Sequence, residues 1–342
     1  RLYEVDWADN DRFQNSPVTF GVPFPNGALR DIDQLRLVTA KGDSVPLQSE
    51  VTATWDSKDG PVRWALLHAN LRRDEEYFLE IKESAEASFE GLRIEETEQA
   101  FLIDTGPMQA VVSKIEPTVL HQVALDLSGD GLFSPDDIVL TSAMAMEDLP
   151  VVMDGEGNEY MARGAGEGFK AEIVRSGPME VAIRREGWYT GKDGTPFSQF
   201  VTYTHFFAGE TIVRHDHTLI TAFDSTKHRI RDIRLSIPLL LGDDAQASFA
   251  TDRSADGNSI FLAPGISPRM VQREHNHWTL TSHEETVVAE ADRAGGWCGL
   301  GDDRWGVLAG WRDFWEQHPA ELEIKDNTLH LHLWPLHDVD LL

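Results

Sequence analysis

The sequence contains a single cysteine, Cys298, among 342 residues. A lone cysteine cannot form an internal disulfide, and it cannot supply a zinc site built on several thiolates. No apolar segment approaches the roughly 18 residues that a membrane-spanning helix needs. These absences argue against a disulfide scaffold, a multi-thiolate zinc protein and a helical membrane protein.

Basic residues are scarce. The chain has 30 Lys and Arg against 58 Asp and Glu, which gives a formal net charge of −28 at pH 7. So negative a surface repels nucleic-acid phosphate and anionic lipid. We therefore expect neither nucleic acid nor a membrane as a partner.

Helical periodicity is also scarce. Short runs rich in Val, Ile, Thr, Phe and Trp recur instead at intervals of about 8–12 residues, separated by Gly, Pro, Asn and Asp. The clearest runs are residues 18–22, 34–39, 63–70, 77–82, 100–104, 171–174, 180–184, 200–207, 211–221, 230–238, 278–281 and 328–333. This pattern predicts an all-β protein.

One segment divides the chain. Residues 83–99 are acidic, rich in small residues and aperiodic, which is typical of a linker or an exposed hairpin. We predict a small N-terminal β-barrel over residues 1–85 and a large antiparallel β-sandwich over residues 95–342. Residues 151–168 are rich in Gly and charge and are predicted to form a long surface loop.

Residues 126–137, DLSGDGLFSPDD, follow the spacing of a calcium-binding loop. Oxygen ligands are expected at positions 1, 3, 5, 7, 9 and 12, with the glycine of position 6, here Gly131, allowing the sharp turn. These ligand positions hold Asp126, Ser128, Asp130, the backbone carbonyl of Leu132, Ser134 and Asp137. The spacing predicts structural calcium. The alternative is an Asp/Gly turn satisfied by its own hydrogen bonds.

Histidines cluster on two predicted strands. In IVRHDHTLI, the alternation of a strand puts His215 and His217 on one face, and the neighbouring VTYTHFF carries Tyr203 and His205 on one face. Together they are a candidate acid/base cluster or metal site, the alternative being polar residues of a solvated sheet face. The His-x-His patterns of REHNHW and HLHLWPLHD are weak metal signals. No G-x-S-x-G motif occurs, which disfavours Ser–His–Asp chemistry.

Several ordered segments resemble the rhamnogalacturonan exolyase-like family. SPVTFGVPFPNGALRDIDQLRLV and VPLQSEVTATWDSKDGPVRWALLHA look like its N-terminal RIFT-type barrel. REGWYTGKDGTPFSQFVTYTHFFAGETIVRHDHTLI and IRDIRLSIP are similar to its central β-sandwich, and WRDFWEQHPAELEI and LHLWP to the last sandwich strands. The resemblance implies lyase activity on uronate-containing polysaccharides such as rhamnogalacturonan or ulvan. It also implies a helical toroid, which we expect to be absent from this chain because the sequence ends soon after LWP.

The chemistry of β-elimination suggests which residues act. A base takes the proton α to the uronate carboxylate, a cation neutralises that carboxylate, and an acid protonates the departing glycosidic oxygen. Residue chemistry makes Tyr203 or His215 the base, Arg214 or Arg231 the cation, and His205 or His217 the assisting group. Trp334 is a candidate for stacking on sugar. A locally basic cleft has seven candidate arginines, which are Arg163, Arg184, Arg185, Arg214, Arg229, Arg231 and Arg234.

Two other functions stay open. The chain could be a non-catalytic carbohydrate-binding or scaffold protein, or a glycoside hydrolase that uses two carboxylates. Polymers of this kind lie outside cells, so a secreted or periplasmic location is expected. Neither the polymer nor the position of cleavage follows from the sequence.

Overall fold

The computed structural model describes residues 16–72, 74–82, 91–142, 148–164, 168–252, 258–282 and 286–335. Regular structure in these ranges consists of β-strands and two short 3-10 turns, at Ile32–Gln34 and Pro135–Asp137. The prediction of an all-β protein is confirmed. No helix in the described ranges is long and apolar enough to cross a bilayer.

The strands are numbered in chain order. The first six are β1 (Ser16–Pro23), β2 (Leu35–Thr39), β3 (Ser44–Val45), β4 (Gln48–Thr54), β5 (Val62–Leu71) and β6 (Tyr77–Ile81). The next seven are β7 (Arg93–Glu96), β8 (Ala100–Asp104), β9 (Met108–Ser113), β10 (Gln122–Leu125), β11 (Ile138–Thr141), β12 (Val151–Asp154) and β13 (Glu159–Arg163). The next seven are β14 (Lys170–Ser176), β15 (Glu180–Thr190), β16 (Pro196–Phe207), β17 (Val213–Ile220), β18 (Ile230–Pro238), β19 (Gln246–Ala250) and β20 (Ser259–Leu262). The last seven are β21 (Arg269–Glu274), β22 (His277–Thr281), β23 (Val287–Ala291), β24 (Trp297–Gly301), β25 (Gly306–Gly310), β26 (Ala320–Lys325) and β27 (Thr328–Trp334).

The first six strands form a small barrel of two three-stranded sheets, ordered β1-β5-β4 and β3-β2-β6. Leu67 of β5 and Leu37 of β2 are buried in its core. Leu47 and Leu79 pack against both of its hydrophobic clusters and so join the two sheets. Full burial of one such leucine stabilises the fold by about 2 kcal/mol relative to exposure.

The remaining strands form the sandwich. A twelve-stranded sheet runs β17-β16-β15-β13-β12-β18-β27-β26-β21-β22-β23, with β14 pairing to β15. It is accompanied by a five-stranded sheet, β11-β10-β9-β8-β7, and a four-stranded sheet, β20-β19-β24-β25. One hydrophobic cluster contains Ile183 of β15, Phe101 of β8 and Phe249 of β19. The two smaller sheets therefore cover one face of the large sheet, which is called the core face below. Its other face is called the outer face.

The predicted surface loop over residues 151–168 is wrong for most of its length. β12 and β13 form an antiparallel hairpin inside the large sheet, and residues 165–167 lie outside the described ranges. Val152 and Ala162 are buried in the core, and Asp154 accepts backbone hydrogen bonds from Glu156 and Asn158 at the turn. The charged and glycine-rich residues make the turn, while the few apolar residues between them carry the strands.

The predicted boundary segment is partly structured. Residues 83–90 lie outside the described ranges, but Arg93–Glu96 forms β7, which pairs with β8 in the five-stranded sheet. The barrel and the sandwich meet elsewhere. The side-chain carbonyl of Gln48 accepts hydrogen bonds from the backbone N–H groups of Met179 and Glu180, at 3.0 and 2.8 Å. Asn70 donates to the carbonyl of Ala208 at 2.8 Å.

Candidate functional site

The pairing of β16 with β17 decides which predicted site residues meet. Tyr203 lies opposite Asp216 and His205 opposite Arg214, whereas His215 lies opposite Thr204 and His217 opposite Thr202. Paired residues share a face, so Tyr203 and His205 lie on the outer face and His215 and His217 on the core face. The single cluster predicted from the sequence is therefore wrong, and its four members form two separate pairs.

The core-face pair belongs to a polar group, called the Arg185 cluster. It consists of Arg185 and Tyr189 of β15, Thr202 and Thr204 of β16, and His215 and His217 of β17. The hydroxyl of Tyr189 is 2.9 Å from His217 Nε2, and the hydroxyl of Thr204 is 3.0 Å from His215 Nδ1. β17 is an edge strand of the large sheet, and both histidines are half-buried. The cluster thus extends from the interior to the sheet edge.

Arg185 is the charged member of this cluster. Its side chain is 1% exposed, and its Nη2 donates a hydrogen bond to the carbonyl of Val119 at 3.2 Å. Within the described part of the chain, its Nε and Nη1 have no hydrogen-bond partner. Burial lowers the pKa of Arg185 to about 10, so the guanidinium is still cationic at neutral pH. The cluster therefore contains a buried cation, two of whose nitrogens have no hydrogen-bond acceptor among the described residues.

The two histidines of the cluster are neutral at pH 7. Burial, and then the charge of Arg185, lower the pKa of His217 to about 4. The same two causes hold the pKa of His215 well below its usual range. If the Thr204 hydroxyl accepts from Nδ1–H of His215, then Nε2 of His215 is a free proton acceptor. Burial raises the pKa of Tyr189 well above its usual range, so its hydroxyl keeps its proton.

His205 of the outer-face pair belongs to a second polar group, called the junction cluster. It consists of His68, Arg175, Glu180 and His205. The carboxylate of Glu180 contacts His205 Nδ1 at 2.6 Å and Arg175 at 3.1 Å, and it also pairs with His68 of the barrel. Burial of Glu180 opposes its ionisation, but the hydrogen bonds from His205 and His68 outweigh that effect and hold its pKa well below the usual range. The other ring nitrogen of His205 is 3.4 Å from Asp216. Both nitrogens of His205 thus contact carboxylates of the sandwich, and Glu180 connects this group to His68 of the barrel.

The predicted substrate-binding residues do not meet. Arg214 is an exposed outer-face residue that pairs with Asp216 at 2.8 Å. Arg231 is exposed on β18. Trp334 is half-buried and packs against the cluster that contains Tyr189 and Phe200.

The predicted calcium loop is an exposed turn with its own hydrogen bonds. The carboxylate of Asp126 accepts from the N–H groups of Gly129, Asp130 and Gly131. The carboxylate of Asp137 accepts from the N–H and hydroxyl of Ser134 at 2.8 and 2.7 Å. In the described ranges, the carboxylates of Asp126, Asp130 and Asp137 do not gather within 4.8 Å of one another. The loop as it stands has the internal bonding of an Asx turn.

Sequence reasoning missed Tyr189 and did not single out Arg185. Both lie in the segment IRREGWYT, which was predicted to be β only as far as residue 184. Extending that strand would have placed Arg185 and Tyr189 on the face of Ile183, because strand residues four apart share a face. The alternation pattern could thus have predicted the face on which these two residues lie, but it could not have predicted that they are buried.

Comparisons with known proteins agree with the fold. Residues 1–84 match the family model of the PcRGLX-like N-terminal RIFT barrel domain, and residues 269–334 match that of the PcRGLX-like protein central beta sandwich domain. The predicted resemblance to the rhamnogalacturonan exolyase-like family is confirmed.

Individual relatives are distant and longer. The uncharacterized protein YetA of Bacillus subtilis is 22% identical over 98% of this chain, and the chain spans 44% of its length. A crystal structure of a glycosyl hydrolase family 38 protein from Enterococcus faecalis has a TM-score of 0.52 at 12% identity, over 96% of this chain and 40% of its own. That likeness shows a shared fold.

Proposed function

We propose that the protein is a polysaccharide lyase, or the β-domain part of one, that acts on a uronate-containing polymer. The observation that carries this proposal is Arg185, a buried cation beside two neutral histidines, with two nitrogens that have no partner among the described residues. A planar guanidinium with free donors matches a carboxylate in shape and charge. The family matches support a polysaccharide as the substrate, and the uronate in it is our proposal from the free donors of Arg185.

The cluster provides the three groups that β-elimination requires. Arg185 neutralises the uronate carboxylate and so stabilises the enolate-like charge of the transition state. His215 takes the α-proton at its free Nε2, and the electron pair of that C–H bond forms the double bond as the glycosidic C–O bond breaks. Tyr189, hydrogen-bonded to His217, keeps its proton and is the group that protonates the departing oxygen.

The length of the relatives shapes this proposal. The chain spans less than half the length of the relatives it matches, so the activity of any longer protein is itself part of this proposal. Substrates of this kind lie outside cells, and a secreted or periplasmic location follows from the proposal. With a net charge of −28, the chain needs a local cation such as Arg185 to hold a polyanion.

The test is an assay on a panel of acidic polysaccharides, with this chain and with a longer form that includes the adjoining sequence. A lyase leaves an unsaturated uronate that absorbs ultraviolet light, and a hydrolase leaves a reducing end without that absorbance. We expect the ultraviolet product, lowered at least about a hundredfold by Arg185→Met or His215→Gln. Arg184→Met is the matched control, because Arg184 points to the outer face and pairs with Glu172 and Glu186.

A binding protein without activity is the second candidate, favoured by the share of the relatives that this chain lacks. In that case the wild-type chain binds uronate oligosaccharides without cleaving them, and Arg185→Met abolishes the binding. Reducing ends without ultraviolet absorbance would contradict the lyase proposal, and so would full activity in Arg185→Met.

A further inference from the structure

A second group of chemically active residues lies on the outer face of the large sheet, away from the Arg185 cluster. Glu321 and Glu323 of β26 alternate with the core residues Leu322 and Ile324, and His332 of β27 lies opposite Glu321. One ligand atom from each of Glu321, Glu323 and His332 lies within 4.8 Å of the other two. Among the described residues, this is the group of three His, Cys, Asp or Glu side chains whose ligand atoms lie this close together.

The distances suit a small cation. His332 Nε2 lies 3.4 Å from Glu323 Oε2 and 3.9 Å from Glu321 Oε1. Ligand atoms about 2.1 Å from a tetrahedral Zn²⁺ are about 3.4 Å apart. Both distances from His332 therefore lie within about half an ångström of that spacing, and the two carboxylates lie within 4.8 Å of each other.

A fourth residue orients the histidine. Asp232 Oδ1 is 2.7 Å from Nδ1 of His332, and both side chains are fully buried. A carboxylate on one imidazole nitrogen fixes the proton there and presents the other nitrogen to a metal, which is the usual arrangement around metal-bound histidines. The second oxygen of Asp232 is buried and has no hydrogen-bond partner among the described residues. This oxygen belongs to Asp232 and not to one of the three residues of the triad.

We propose that Glu321, Glu323 and His332 bind one divalent transition-metal ion, with Zn²⁺ as the best match, and that Asp232 is a positioning residue for His332. One imidazole with two carboxylates favours Zn²⁺ over Ca²⁺ or Mg²⁺, which prefer oxygen ligands alone. The ion would fasten β26 to β27 beside β18. The alternative is an ion network made of protein groups only, in which His332 is charged and bridges the carboxylates.

The test uses the chain stripped of metal by a chelator and titrated with Zn²⁺ by calorimetry. Co²⁺ serves as a second probe, because its visible absorption reports a tetrahedral site with nitrogen and oxygen ligands. We expect one equivalent of Zn²⁺ in the wild type. Glu321→Gln and Glu323→Gln remove that binding, and Asp232→Asn weakens it by about 10- to 100-fold.

Two controls make the result specific. His330→Gln keeps the binding, because His330 bonds Ser236 instead of joining the triad. Asp130→Asn also keeps it and excludes the exposed 126–137 loop as the source. Glu321 is fully buried, so Glu321→Gln can fail to fold. In that event Glu323→Gln gives the result, because Glu323 is less buried. No Zn²⁺ bound by the folded wild type, or the same stoichiometry in folded Glu323→Gln, overturns the proposal.

Discussion

Arg185 is a buried arginine that has no acidic partner among the described residues. Such an arginine lowers the stability of the folded state. Each unsatisfied buried donor costs about 1–3 kcal/mol, and two of its nitrogens have no partner in the described ranges. Packing gives no reason to keep a guanidinium between Ile183 and Tyr189, because an apolar side chain would fill the same space at lower cost. The carboxylate ligand that we propose would supply the reason, since it would accept from these donors.

The charge of Arg185 acts on its neighbours, which gives a prediction that needs no substrate. We expect Arg185→Met to raise the pKa of His217 from about 4 towards its ordinary value, because a cation that disfavours the imidazolium is removed. Proton NMR titration of the histidine ring signals measures this change. The control Arg184→Met carries the same substitution on the other face. Equal histidine titrations in Arg185→Met and the wild type would contradict the placement of Arg185.

The same histidine makes stability depend on pH. In the folded state His217 stays neutral down to about pH 4, whereas the unfolded chain takes up the proton near pH 6.5. Protons therefore favour unfolding, and the stability contributed above pH 6.5 is lost as the pH falls towards 4. We expect His217→Gln to reduce the slope of unfolding free energy against pH by up to about 1.4 kcal/mol per unit over this window. Urea unfolding at several pH values measures it, and the same slope in His217→Gln and the wild type would contradict it.

At the scale of strands, sequence patterns predicted many of the segments that form β-structure, although not β12 and β13, and did not predict how the strands pair. Residues 230–238 are a strand as predicted, and the face of each histidine within its own strand was correct. The register of β16 on β17 could not be predicted from the local sequence. In the turn between them, the N–H groups of Ala208 and Gly209 donate to the carbonyls of Met179 and Thr105, which are distant in sequence. A shift of one residue exchanges the faces, which is why the predicted cluster divided into two pairs.

The loop at residues 126–137 carries a prediction about calcium. We propose that it binds structural calcium through Asp126, Ser128, Asp130, the Leu132 carbonyl, Ser134 and Asp137, with side-chain rearrangement from the present turn. Calcium at a hundredfold excess over Kd would then stabilise the fold by about 2.7 kcal/mol, and a chelator would lower the Tm. Asp130→Asn should abolish this sensitivity, while Asp136→Asn, at position 11 of the loop, should keep it. A Tm that is the same in chelator and in calcium would leave the loop an ordinary Asx turn.

At the scale of the whole molecule, the junction cluster holds the barrel on the sandwich. Glu180 of β15 joins His68 of the barrel to His205 and Arg175 of the sandwich, and Arg175 also pairs with Glu50 of β4 at 3.2 Å. No local pattern predicted this arrangement, because its barrel members lie more than a hundred residues from its sandwich members. The sequence therefore singled out His205 without revealing its contact with Glu180, the residue that pairs with the barrel.

Loss of the Glu180 charge should weaken the junction strongly. We expect Glu180→Gln to lower the free energy of unfolding by about 3 kcal/mol, because it leaves Arg175 without its anion and weakens the buried hydrogen bonds of His68 and His205. Chemical denaturation followed by tryptophan fluorescence measures the loss. Glu172→Gln, which removes an exposed partner of Arg184, should change stability by less than about 0.5 kcal/mol. Similar small effects of both substitutions would show that the junction does not depend on Glu180.

The pairing of Arg185 with a uronate carboxylate is tested most directly by changing both partners. Cleavage by the wild type and by Arg185→Met is measured through the ultraviolet absorbance of the product, on a free uronate polymer and on the same polymer methyl-esterified. A neutral ester no longer needs the cation. The substitution should therefore reduce cleavage at least about a hundredfold on the free acid and by much less on the ester. An equal loss on both polymers, or none on either, would contradict the role of Arg185.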